Sequence, residues 1–93
     1  MIVYVSIGNS DDKLSQKDWS DFSHQVHYSI VHRATQVHGF WHSIPTAPFQ
    51  NVCFCFEITG ILDIDKLKHA LSELGRAYKQ DAIAWAVAET EFL

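Results

Sequence analysis

Ala82-Ile83-Ala84-Trp85-Ala86-Val87-Ala88-Glu89 can be read in two ways, and the choice decides the fold. Its four alanines suit a helix, which would prolong the helical pattern before it. Ile83, Trp85 and Val87, however, alternate with those alanines at the period of a strand, and β-branched and aromatic residues favour strands. The alternation makes residues 82–89 a final strand. Lys79-Gln80-Asp81 then ends the helix that precedes it.

That helix has Leu67, Leu71 and Leu74 at helical spacing, joined by Ala70 and Tyr78. Asp63 is its expected N-cap, with Leu62 and Leu67 as a hydrophobic staple, and Thr59-Gly60 breaks the chain before it. Residues 51–58 alternate most clearly: Val52, Phe54, Phe56 and Ile58 on one face, Cys53, Cys55 and Glu57 on the other. Ile44-Pro45-Thr46-Ala47-Pro48 must be a loop, because two prolines fix φ and remove donors. Residues 36–43 read as another strand, with Val37, Gly39 and Trp41 opposite His38, Phe40 and His42.

Ser15 is the expected N-cap of a first helix, with Asp18 completing the capping pattern and Leu14 and Trp19 as its staple. Trp19, Phe22, Val26 and Ile30 form its buried line, and the pattern fades near Arg33-Ala34. Residues 2–7 are a strand apolar on both alternating sets, as expected at the centre of a sheet. Gly8-Asn9-Ser10-Asp11-Asp12 are turn formers.

The order is βαββαβ in a single domain, residues 1–93. Its compact solution is an α+β ferredoxin-like sandwich, or α/β plait: an antiparallel sheet of order 4-1-3-2 with two helices on one face. The helix-facing sets should be Val3/Val5/Ile7, Val37/Trp41, Val52/Phe54/Phe56/Ile58 and Ile83/Trp85/Val87. This topology brings residues 9–13, 43–51 and 79–81 to one end of the sheet. Asn9, Ser10, Asp11, Asp12, Lys13, Gln50, Asn51, Gln80 and Asp81 collect there as a candidate ligand- or partner-binding site. A helix N-terminus at that end offers unpaired N–H groups to an anion, while Asp11 and Asp12 would repel one unless Lys13 or a metal intervened.

The other sheet face should carry Tyr4, Ser6, His38, Phe40, His42, Cys53, Cys55 and Glu57. A semi-apolar face of this kind covers itself by packing on a second copy, so Tyr4, His38, Phe40, His42, Cys53 and Cys55 are the expected homodimer face. Zinc is a poor fit: His38 and His42 are four apart on a strand, about 13 Å, and cannot share one ion. An RNA platform is disfavoured by Cys53 and Cys55 where aromatic rings would stack bases. Dyads of Cys53 or Cys55 with a histidine, or of Ser6 or Ser10 with His42, lack a supporting pattern, since a thiol inside a strand is usually packing. His24-x-x-His27 reads first as a solvated helix face. No catalytic residue, metal site or cofactor is assigned.

The chain has a formal charge of −4, with 47% hydrophobic and 19% charged residues. Phosphate-backbone binding needs a basic surface, so general nucleic-acid binding is disfavoured. No apolar run approaches the roughly 20 residues of a membrane span, and no basic-then-apolar signal opens the sequence. Cys53 and Cys55 cannot easily pair within one strand and read as free thiols. The expectation is a cytoplasmic protein.

Three stretches carry a resemblance: Ile7-Gly8-Asn9-Ser10-Asp11-Asp12-Lys13-Leu14; Val37-His38-Gly39-Phe40-Trp41-His42-Ser43 with Ala47-Pro48-Phe49-Gln50-Asn51; and Gln80-Asp81-Ala82-Ile83-Ala84-Trp85-Ala86. Together they resemble a group of small, mostly uncharacterised proteins encoded by bacteriophages of actinobacteria. The resemblance implies an accessory protein of the host bacterial cytoplasm that inhibits or sequesters host components, such as defence enzymes or their nucleotide signals. The functional expectation is therefore a non-enzymatic protein that binds a host protein or a small polar or nucleotide ligand through the polar end. The alternative is a small enzyme, either a metal-dependent phosphodiester hydrolase using Asp11 and Asp12 or an α/β-plait enzyme with a cavity between sheet and helices.

Overall fold

The computed structural model describes residues 1–9, 13–44, 50–89 and 91–93. The described chain runs β1 (Ile2–Gly8), α1 (Gln16–Arg33), β2 (Gln36–His42), β3 (Asn51–Glu57), α2 (Ile61–Ala77) and β4 (Ala84–Ala88). The four strands form one antiparallel sheet in the order β2-β3-β1-β4. Both helices pack on one face and on each other. The protein has the ferredoxin-like fold, and the fourth strand, Ala84–Ala88, lies within the expected residues 82–89 but is shorter at both ends.

Each helix buries one line of apolar side chains. Ser15 caps α1, its Oγ accepting from the Asp18 backbone N–H at 3.1 Å. Leu14 and Trp19 are both buried beside the cap, and Trp19, Phe22, Val26 and Ile30 form the buried line of α1. These meet Val3, Val5 and Ile7 of β1 and Val52, Phe54 and Phe56 of β3, with Ile58, Leu67 and Leu71 completing the core.

The start of α2 departs from expectation. Gly60, not Asp63, is the N-cap, and it makes no side-chain capping bond. The helix begins three residues earlier, just under one turn, because the Ile64 N–H already reaches Gly60 O at 2.9 Å. Asp63 instead sits in the first turn, where a carboxylate suits the helix dipole, and lies 3.6 Å from Arg33. Leu62 is exposed, so it forms no staple with Leu67.

The second departure lies in β2. Val37 is opposite Phe56, yet Gly39 is opposite Cys55, so His38 is an extra residue in a β-bulge. A bulge of one residue reverses which way every later side chain points. Phe40 and His42 therefore align with Phe54 and Val52 on the helix side, and Trp41 aligns with Cys53 on the uncovered side. Ring contacts agree: Phe40 is 5.1 Å from His27 of α1 and 6.0 Å from Phe54. The expected faces of Phe40, Trp41 and His42 are thus exchanged.

Candidate functional site

The polar end is assembled around Asn9, which is only 3% exposed. Its amide acts like a short piece of strand. Oδ1 accepts from the Leu14 N–H at 3.1 Å, and Nδ2 donates to Leu14 O at 3.0 Å. Nδ2 also lies 3.3 Å from Gln50 Oε1, and the Asn9 backbone N–H donates to Gln50 O at 2.8 Å. Gln50 is in turn paired with Gln16 through both amides, at 2.8 and 3.1 Å. Asn51 continues this edge: its N–H donates to Ser43 Oγ at 3.1 Å, and its O accepts from the Ser43 N–H at 2.9 Å.

The third segment joins through charge. Lys13 Nζ lies 3.5 Å from Asp81 Oδ1. Both side chains are substantially solvated, so this pair positions more than it stabilises. Asn9 and Gln50 thus meet directly, and Lys13 meets Asp81, so all three segments converge. Asn9, expected as a binding residue, has its hydrogen-bonding capacity used in holding the end together. Ser10, Asp11 and Asp12 lie outside the described residues, as does the Pro45/Pro48 loop.

Beside this end, a groove of about 440 Å³ runs between α2 and β4. Trp85 and Ile83 form its sheet side, while Lys68, Ser72 and Arg76 line its helix side. Gln80 and Asp81 also line it. Gly75 of α2 is buried against Ile83; a Cβ there would lie 3.6 Å from Ile83 Cδ1, in ordinary contact. Lys68 Nζ stands over the Trp85 ring, 5.1 Å from its centroid. With Asp81 paired to Lys13, Lys68 and Arg76 are the cations that flank the aromatic floor. Arg76 also lies 3.4 Å from Glu73.

The groove went unread in the sequence, although a signal existed. Lys68, Ser72 and Arg76 repeat at intervals of four, immediately beside the buried line of Leu67, Leu71 and Gly75. Such a polar stripe looks solvated until a strand is known to lie next to it.

The uncovered sheet face carries Tyr4, Ser6, Trp41, Cys53 and Cys55, with Ala84, Ala86 and Ala88 of β4 on the same side. His38 lies 3.7 Å from Glu57. Cys55 beside Tyr4, chiefly as its hydrogen-bond partner, raises that phenol above its ordinary value. Ser6 Oγ is 3.5 Å from Cys53 Sγ. Of the six residues expected on this face, Phe40 and His42 are on the other.

A second, more open hollow of about 520 Å³ lies along α1, lined by His24, Gln25, His27, Tyr28 and Val31. His24 Nδ1 is engaged with Ser20 O at 2.8 Å, and the His27 ring packs between Phe40 and Phe54. Neither histidine is directed to a shared ion. Among the described residues no group of three or more His, Cys, Asp or Glu side chains is arranged to hold a metal. No described helix is long and apolar enough to cross a membrane.

No family model matches the chain, and no curated protein is similar to it. Among solved structures, one similar chain is a dimeric ferredoxin-like protein from an uncultured marine organism. It is 13% identical with a TM-score of 0.39, over 99% of this chain and 90% of that one.

Proposed function

We propose that this is a non-enzymatic binding protein that holds a nucleotide-like ligand, a planar ring bearing phosphate, in the groove between α2 and β4. The observation that carries this reading is Trp85 flanked by Lys68 and Arg76 in a groove of about 440 Å³. That volume suits a small molecule, since ligand pockets span roughly 300–1,000 Å³. Lys68 stands over the Trp85 ring, so a base would stack on the indole by displacing that ammonium toward the phosphate; base–indole stacking is worth about 1–3 kcal/mol. Lys68 and Arg76 would meet the phosphate, and Gln80 offers an amide to the ring's polar edge. In the setting implied by the phage resemblance, such a protein sequesters a nucleotide of the infected cell. The protein acts as a homodimer. The hydrolase alternative requires Asp11 and Asp12, and no observation among the described residues favours it.

Thermal-shift and calorimetric titration with mononucleotides, dinucleotides and cyclic nucleotides tests the reading. One class should raise the melting temperature and quench tryptophan emission, and the quenching should vanish in Trp85→Phe. Each charge-assisted hydrogen bond is worth about 1.5–3 kcal/mol, so Lys68→Ala and Arg76→Ala should each weaken binding about tenfold or more. If no nucleotide binds, or if both variants bind as the parent does, the groove is not the site. Capture of a host protein through Gln80 and Asp81 in a lysate pull-down, with nucleotides inert, would replace this reading by the protein-partner one.

A further inference from the structure

We infer that the second copy joins at the free edge of β4, extending the sheet across a two-fold axis, and not through the uncovered sheet face. This deepens the homodimer part of the proposed function and stands independently of the ligand. In the sheet order β2-β3-β1-β4, β2 and β4 are the two edge strands. They are not equivalent. β2 carries the bulge at His38, and His38 is drawn to Glu57. A bulge and an ionisable side chain are devices that blunt an edge against further pairing. β4 has neither. Its five residues, Ala84-Trp85-Ala86-Val87-Ala88, include no charge and no proline, and its pairing with β1 runs without a register shift. An unprotected apolar edge is a template for another strand.

The sequence of β4 is also self-complementary. A two-fold axis through Ala86 gives the one antiparallel register that pairs all five residues with the same five in a second copy. Ala84 then opposes Ala88, Ala86 opposes Ala86, and Trp85 opposes Val87. Side-chain faces match in this register: alanines meet alanines on the uncovered side, and Trp85 meets Val87 on the helix side. Aromatic with β-branched is a favourable cross-strand pair. It also accounts for Val87, which aligns with fully buried Val3 on the helix side yet is 57% exposed in the single chain.

The test combines light scattering over a concentration series with amide exchange. The expected mass is that of two 10.6 kDa chains. Amides of β4 should gain protection as concentration rises, while those of β2 should not. Val87→Asp sets a carboxylate from each copy against the partner's Trp85 and should give a monomer. Ala86→Lys sets like charges on the axis, on an exposed position, and should do the same. Both should keep the circular dichroism of the parent. Trp41→Lys, on the uncovered face but on the far edge strand, should remain dimeric. A monomer at about 1 mM overturns the homodimer itself. A dimer that survives both β4 variants, or one lost only in Trp41→Lys, overturns the β4 edge and leaves a dimer built through the sheet face.

Discussion

Asn9 shows how much a single amide can organise. Its side chain satisfies both backbone groups of Leu14, a residue buried in the core. Removing it leaves a buried N–H and C=O without partners, at about 1–3 kcal/mol. Asn9→Ala should therefore lose about 2 kcal/mol, lowering the melting temperature by about 10 °C for a domain of this size. Asn9→Asp should be worse, because a carboxylate would face Leu14 O with no proton to give. Denaturant titration beside calorimetry measures both. Equal stability of the three proteins would mean that water replaces the amide without loss. The sequence marked Asn9 as a turn former and as a candidate binding residue. It did not reveal the burial, because that depends on where Leu14 returns after the turn.

At the scale of elements, α2 ends in a way that invites improvement. Gln80 N–H donates to Gly75 O at 2.7 Å and Lys79 N–H to Arg76 O at 3.1 Å, the bonds of a Schellman turn. The residue this places in the left-handed region is Lys79, with φ 57°. A side chain costs about 1–2 kcal/mol there, while glycine gives back some of that gain as chain entropy. Lys79→Gly should raise stability by about 0.5–1 kcal/mol, visible as a higher denaturant midpoint with unchanged slope. A loss of stability would show that the Lys79 side chain contributes more than its backbone costs. Elements of this kind were mostly legible. The buried lines of α1, the Ser15 cap and the alternation of β3 follow from local chemistry alone. The cap of α2 was misread because Asp63 is a good capping residue wherever it stands, and its pairing with Arg33 from another helix leaves no local trace.

The whole molecule follows from the order of its elements, which sequence alone supplies once residues 82–89 are read as a strand. Two things could not be read that way. The groove between α2 and β4 exists only through the distance between elements far apart in sequence. The bulge is invisible because Val37/Gly39/Trp41 and His38/Phe40/His42 both form acceptable alternations, and Gly39 suits either face.

The extra residue in β2 also decides what happens when the chain is shortened. Excising almost any residue of a strand turns its remaining side chains inside out. Excising His38 does not, since Val37, Gly39, Phe40, Trp41 and His42 already match Phe56, Cys55, Phe54, Cys53 and Val52 one for one. The deletion should fold, with melting and circular dichroism close to the parent. What it removes is the irregularity on one flank of the sheet. With the β4 edge pairing as proposed, a molecule with two straight, adhesive flanks would grow at both ends instead of closing into pairs. The shortened chain is therefore expected to polymerise into ribbons, seen as light scattering that climbs with time, so that one superfluous histidine separates a finite particle from a fibre.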